Sequence, residues 1–491
     1  MNKRFSFYIA LILVMTLFVG LFLGRTIARR SFLTAQHNSS HAISKLSNIL
    51  RLIQTAYVDS VNTDNIVEKS IPGILENLDP HTTYIPAKDL QGVEEEMQGN
   101  FSGIGVQFSI QEDTVMIVDV ISGGPSAKLG ILAGDRIVMV NDSLVAGTGI
   151  KNEQVLKLLR GKKGTQVKIG IQRKGFKKLL DFDITRGEIP LYSVDVSYMI
   201  NKETGFIKVS RFAEQTYDEF TTAMEKLDKS GATKIIIDLR GNPGGYLNAV
   251  IRMVNDFLEK GDAILVTKGK SQPEKTFSAN AHNVWANKKL YVMIDEFSAS
   301  ASEIFAGAIQ DNDRGILIGR RSFGKGLVQE QIPFSDGSAI RLTVARYYTP
   351  SGRCIQKSYN EGNEKYFDDL FARMQHGEFE VADSIHFADS LKYHTKKGRT
   401  VYGGGGIMPD FFVPADTSGR SDYFEKIYQK GLVYQYAFQY SDQYRNILKN
   451  AGNALELAEY LEKQNILDRF VSYAASKGIP SDPKGLKESG D

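Results

Sequence analysis

The stretch "KLYVMIDEFSASASEIFAGAIQDN", residues 289–312, joins two hydrophobic periods. Leu290 to Ile294 form a short apolar run that fits a buried strand, and from Ile304 the apolar positions repeat at helical spacing. A strand that turns through a serine-rich corner into a helix is the repeating unit of α/β layers. The same alternation extends outwards through "GFIKVSRF" (205–212), "EFTTAMEKLDKSG" (219–231), "KIIIDLR" (234–240), "YLNAVIRMVNDFLEKG" (246–261), "GILIG" (315–319) and "AIRLTVARYY" (339–348). It predicts an α/β core from residue 188 whose central sheet is mostly parallel.

The flanks differ in character. Residues 93–187 alternate short β-rich runs, "VMIVDVI" (115–121), "RIVMV" (136–140) and "QVKIGIQR" (166–173), with glycine-bearing turns and one helical piece, "NEQVLKLLR" (152–160), which reads as a compact β-module. Spaced apolar positions over 43–78 suggest short helices, residues 357–400 are polar with few periodic signals, and 422–478 read as amphipathic helices. At the start, "FSFYIALILVMTLFVGLFLG" (5–24) carries no charge and is long enough to span a bilayer, so it is expected to be an uncleaved membrane anchor. The expected boundaries are 1–30 for the anchor and its flanks, 31–92 helical, 93–187 the β-module, 188–415 the core and 416–491 a helical extension.

Composition narrows the function. With 60 basic and 57 acidic residues in 491, the net charge of +3 gives no electrostatic pull towards nucleic acid. One cysteine, Cys354, excludes an internal disulfide and any cysteine-based metal site. No spacing of ligand types suggests a metal.

The corner holds Ser298, Ser300 and Ser302. Ser300 stands three residues before Glu303, which fits a capping box and needs no chemistry. Yet a serine after a strand, at a helix N-terminus, also sits where a nucleophile and an oxyanion are favoured. The seven histidines lie in polar contexts or flank the anchor, so no Ser-His-Asp arrangement is indicated. "GNPGG" (241–245) has Pro243 where chymotrypsin-like proteases carry their serine. "SFGKGLVQ" (322–329) supplies the other base that serine enzymes use, a lysine whose amine is neutralised by desolvation: Lys325, between Gly324 and Gly326, with Gln329 four residues on to orient it.

"SASASEIFAGAIQD" (298–311) followed by "GRRSFGKGLVQ" (319–329) resembles the paired active-site motifs of the C-terminal processing peptidases, also called tail-specific proteases, with 25 residues between serine and lysine. "DPHTTY" (79–84), "DLRGNPGG" (238–245), "YYTPSGRCIQ" (347–356) and "GGGGIMPD" (403–410) extend the resemblance over most of 45–415. Ser322 and Cys354 depart from it mildly. The resemblance implies an α/β, layered crotonase/ClpP-like catalytic core with an inserted PDZ domain and a helical N-terminal region. It implies Ser300 as nucleophile, Lys325 as general base, Gln329 as its orienting partner, and an oxyanion hole from the Ala301 amide with that of Gly244 or Gly245. It implies no metal or organic cofactor. "FSGIGVQF" (101–108) resembles a PDZ carboxylate-binding loop, so the amides of Gly103, Ile104, Gly105 and Val106 are expected to hold a substrate's C-terminus.

The expected protein is thus a membrane-anchored, extracytoplasmic or periplasmic serine endopeptidase acting on proteins or peptides with apolar C-terminal tails, with its oligomeric state, homo-oligomer or monomer, left open. The alternative is a catalytically silent, membrane-tethered PDZ adaptor.

Overall fold

The computed structural model describes residues 41–489 except 386, 417–418, 449 and 451–453, so the apolar segment 5–24 lies outside the described residues. Among those described, no helix is long and apolar enough to cross a membrane. They form two units, one ending at Leu78 and one beginning at Asp79. The first holds the expected short helices, over 41–56 and Thr63–Leu75, the latter started by Asn62, whose side chain accepts from the Asn65 N–H at 3.0 Å.

In the second unit, six strands form a sheet in the order Val194–Met199, Thr204–Val209, Lys234–Asp238, Lys289–Ile294, Ile316–Gly319 and Phe411–Phe412. Every pairing after the first is parallel, as the alternation of strands and helices requires. Alternate residues such as Ile235, Ile237, Leu290, Val292 and Ile294 are buried against Phe220, Met224, Val250, Met253 and Phe305 of the helices Thr216–Lys229, Leu247–Asn255 and Ala301–Asp311. Each such side chain contributes about 1.5–3 kcal/mol. Ala301–Asp311 is buried on every side, which is why its sequence lacks a polar face and why its N-terminus is held rigidly.

The sheet does not include Ala339–Tyr348, contrary to the simple alternation. That strand pairs antiparallel with Leu327–Pro333, with Ala263–Lys268 and with Thr83–Ile85, and Lys275–Ser278 lies beyond 263–268. The reason is local: the short turn "FSDGS" (334–338) returns the chain beside 327–333, and a hairpin forms before any crossover can.

The β-module has its own core, including Val115, Ile117, Ile137, Val155, Ile169, Ile171 and Ile184, under strands ordered Val106–Gln111, Thr114–Val120, Arg136–Val140, Gln166–Gln172 and Leu180–Thr185, with helix Asn152–Leu159. The chain enters and leaves it through the antiparallel ribbon Asn100–Gly103 with Gly187–Pro190. Because Thr83–Ile85 already belongs to a core sheet, the module is an insertion. Val106–Gln111 pairs on one edge only among the described residues. The C-terminal helices pack around Tyr423, Ile427, Leu432 and Ala474 and touch the module where Asp442 faces Arg136 at 3.7 Å and Lys174 at 4.0 Å. Residues 357–400, read as weakly patterned, contain the helix Asn363–Gln375.

Candidate active site

The strand Lys289–Ile294 ends at Asp295, whose carboxylate Oδ1 accepts from the N–H groups of Gly241 at 2.9 Å and of Phe297 and Ser298 at 3.1 Å, forcing a sharp corner. Ser300 follows as the N-cap of Ala301–Asp311 with φ +54° and ψ −111°. A residue with a Cβ rarely adopts that conformation, which costs on the order of 1–3 kcal/mol and persists only where the surroundings impose it.

The three serines part company here. Ser298 Oγ donates to the Leu239 carbonyl at 2.8 Å, and Ser302 Oγ donates to the Asn242 carbonyl at 3.0 Å; both residues are fully buried. The Ser300 hydroxyl makes no capping hydrogen bond, although it stands opposite the Glu303 amide, and its residue is half-buried. The glutamate half of the box is a full hydrogen bond, the Ser300 N–H donating to Glu303 Oε2 at 2.9 Å.

Glu303 is fully buried, and its carboxylate accepts four hydrogen bonds. Oε2 takes the N–H groups of Ser300 and Lys325, both at 2.9 Å; Oε1 takes the Gly324 N–H at 2.7 Å and the Ser322 hydroxyl at 2.5 Å. The backbone nitrogens of Ser300 and Lys325 therefore lie within twice 2.9 Å of each other. From the other side the buried Tyr347 hydroxyl meets the carbonyls of Lys325 at 2.6 Å and Ser300 at 3.1 Å. One carboxylate and one phenol thus clamp the serine corner to the lysine turn. Burial pushes the Glu303 carboxyl up to about 7 against four donors that favour its ionised form.

The Lys325 amine donates to Gln329 Oε1 at 2.9 Å. Desolvation first, and the Arg341 charge second, hold it down at about 8, while the carboxylates of Glu303 and Asp79 oppose the shift. Gln329 is fixed in turn by donating through Nε2 to the His81 carbonyl. That carbonyl is placed by Asp79, whose carboxylate accepts from the His81 N–H at 3.0 Å and from the Thr82 N–H and hydroxyl at 3.0 and 2.6 Å.

Next to Ser300 lies the "GNPGG" turn. A Cβ on Gly244, whose φ is +101°, would lie 2.7 Å from Ser300 Cβ and 2.9 Å from the Ala301 nitrogen, so only glycine allows this approach. The Gly244 N–H already donates to Asn242 Oδ1 at 2.8 Å. The N–H groups of Gly245 and Ala301 have no partner among the described residues.

Comparison with known proteins gives the chain's family. Residues 203–363 match Peptidase family S41, residues 102–184 match a PDZ domain, and residues 423–491 match a family of unknown function (DUF8443). Over 333 residues the chain is 36% identical to the carboxy-terminal processing protease CtpB of Bacillus subtilis (strain 168), an alignment covering 66% of this chain and 68% of that one. Over 326 residues it is 35% identical to the carboxy-terminal-processing protease of Bartonella bacilliformis, covering 65% and 74%. The chain belongs to the carboxy-terminal processing proteases of peptidase family S41. Among solved structures, the photosystem II D1 C-terminal processing protease aligns at 23% identity and a TM-score of 0.38, over 75% of this chain and 92% of that one. As a serine peptidase the protease is not the silent adaptor that the sequence left as an alternative.

The protease's PDZ loop is built by the same kind of close packing. Gly105 has φ +78°, and a Cβ there would meet Ile189 at 2.9 Å. The carbonyls of Ile104 and Gly105 accept from the N–H groups of Ser126 and Ile121, both at 3.0 Å, while their own N–H groups have no partner among the described residues. Gly103 and Val106 end the flanking strands Asn100–Gly103 and Val106–Gln111.

Several residues of the protease's site were not assigned a part from the sequence. Glu303 appeared only as half of a capping box, and Ser322 as a mild departure, yet the Ser322 hydroxyl links Glu303 to the Ile407 N–H at 2.6 Å. Tyr347 and Gln356, the latter accepting the Gly326 N–H at 2.8 Å, lie in the quoted "YYTPSGRCIQ". His81, expected in a polar context, instead packs edge-on to Tyr366, Phe367 and Phe323 with ring centroids 5.3, 6.3 and 6.4 Å away, and burial lowers its pKa to about 4. Partners 242 to 286 residues downstream made that setting invisible. Among the described residues, no group of three or more His, Cys, Asp or Glu is placed to hold a metal ion.

Proposed function

We propose that the protease cleaves polypeptides with a Ser300–Lys325 dyad. The supporting observation is the clamp: of three serines in the corner, the one with an unengaged hydroxyl and a strained backbone is tied through Glu303 and Tyr347 to the turn bearing a lysine of lowered pKa. The neutral Lys325 amine takes the Ser300 hydroxyl proton as Oγ bonds to the scissile carbonyl carbon. The oxygen that gains charge is met by the N–H groups of Ala301 and Gly245, since that of Gly244 is engaged with Asn242. The Lys325 ammonium protonates the departing amine, and the acyl-enzyme remains. Water then gives its proton to Lys325 and its oxygen to the acyl carbon, releasing the new carboxylic acid and restoring Ser300. Gln329, held by His81, keeps the lysine in place between these transfers.

Substrates enter, on this reading, by adding a strand to the open edge of Val106–Gln111, with a terminal carboxylate on the amides of Gly103 to Val106. The apolar segment 5–24 anchors the chain, with the catalytic part outside the cytoplasm. The test is mass spectrometry of a tailed model substrate incubated with wild-type, Ser300→Ala and Lys325→Ala protein. Both variants are expected to fold and to lose nearly all cleavage; turnover in either one contradicts the dyad.

A further inference from the structure

The helix Asn363–Gln375 is fastened to the lysine turn from beneath. Arg373, buried, donates to the carbonyls of Arg321 at 2.8 Å and Ser322 at 3.1 Å and pairs with Glu378, while Lys357 donates to the Tyr366 carbonyl and to Asp369, both at 2.9 Å. Lys357 also lies over the rings of Phe323 and Tyr366 at 4.1 and 4.3 Å. A helix held by so many charged contacts has no need of further apolar surface.

Its outer face nevertheless carries Phe367, Phe371 and Met374, exposed by 55%, 58% and 52%. Steps of four and three residues place them in one stripe along the helix. Single exposed apolar side chains are ordinary, but a stripe of two phenylalanines and a methionine is the composition of a recognition surface. The stripe also starts at the site: the Phe367 ring packs on His81, whose carbonyl holds Gln329, which holds the Lys325 amine.

We propose that this stripe receives the apolar segment of the substrate polypeptide beside the scissile bond, and so selects where the chain is cut. The occupant is an unfolded, extended stretch bearing large aliphatic or aromatic side chains. From residue 367 to 374 the helix rises roughly 10 Å, about three residues of extended chain. Phe367 joins the stripe to the catalytic cluster through its contact with His81, which on this proposal makes the stripe a wall of the cleavage site, and the flexible methionine adapts to varied apolar side chains. The inference rests on the dyad reading, because it takes Lys325 as the place where the bond is broken.

The test uses the full chain and two peptides with one apolar free-acid tail, differing only in whether the residues beside the cut bond are leucine and phenylalanine or serine and asparagine. Wild type is expected to favour the apolar peptide at least tenfold in kcat/KM. In the double variant Phe371→Ser, Met374→Ser that preference is expected to shrink at least fivefold, mainly through KM. An unchanged preference in the variant, or none in wild type, overturns the proposal. A second measurement does not depend on turnover: in Ser300→Ala protein carrying benzoylphenylalanine in place of Phe371, light is expected to cross-link the apolar peptide, and unlabelled peptide to compete. Absence of the cross-link overturns the stripe even if the dyad holds, whereas continued cleavage by Ser300→Ala overturns the dyad and leaves the cross-link to report on the stripe. A dimer that dissociates in the double variant would name a second copy as the occupant and also overturn the proposal.

Discussion

Glu303→Gln tests the clamp with a change of one atom. The two carboxylate oxygens accept two donors each, and an amide can serve only one of these pairs. The Ser322 hydroxyl can rotate to accept from a new NH2 group, but the Gly324 N–H cannot. The glutamine is therefore expected to turn its NH2 towards Ser322 and Gly324 and keep its oxygen on Ser300 and Lys325. That leaves one buried N–H facing a donor, a cost of about 1–3 kcal/mol. Displacement of the lysine turn by the same donor conflict should lower kcat about 10- to 100-fold, since 1.4 kcal/mol of transition-state stabilisation is about tenfold in rate, while KM changes little. Glu303→Ala, which strands all four donors, should cost more than Glu303→Gln, since each buried donor left unpaired costs about 1–3 kcal/mol. The pH dependence adds a sign. The folded-state pKa is raised from 4.5 to about 7, so this group's stabilising contribution is present below 4.5 and is lost as the pH rises through 7. The glutamine variant cannot ionise and should lack that loss. The assays are urea unfolding from pH 5 to 8 and steady-state peptide cleavage. Full activity in Glu303→Gln, with wild-type stability at every pH, would refute the clamp.

Peptidase activity should rise with pH with a midpoint near 8, because the Lys325 amine must be neutral; Arg341→Gln, which removes a charge that lowers this pKa, should move the midpoint upward. Gly105→Val should weaken capture of free-acid tails, because its Cβ would meet Ile189 at 2.9 Å with φ at +78°; a free-acid to amide ratio of kcat/KM near one in wild type would contradict tail recognition. Full-length protein should sediment with membranes and a chain lacking residues 1–30 should remain soluble and active; loss of cleavage on that truncation would show that the segment does more than anchor.

The strand–corner–helix of 289–312 and its neighbours were legible because each obeys a local period, and the quoted motifs marked every turn that now holds the site. Ser300 was singled out by the resemblance alone, and local pattern could not show why its neighbours are engaged, because Ser298 and Ser302 give their hydroxyls to carbonyls 59 and 60 residues upstream. The engagement of the Gly244 N–H, on which the proposed role of Gly245 rests, was within reach, since an asparagine two residues before a glycine forms an Asx turn. The helix Asn363–Gln375 was missed because Tyr366 and Arg373, rather than aliphatic residues, face inward while Phe367, Phe371 and Met374 face out. Ala339–Tyr348 was grouped with the parallel sheet because its pattern reports burial but not the strand it pairs with.

The dyad is tested most directly by locating the covalent adduct of a serine-directed phosphonate by peptide mass mapping. The adduct is expected on Ser300, absent in Ser300→Ala, and formed far more slowly in Lys325→Ala than in wild type at pH 8. An adduct on Ser298 or Ser302, or undiminished labelling without Lys325, would contradict it.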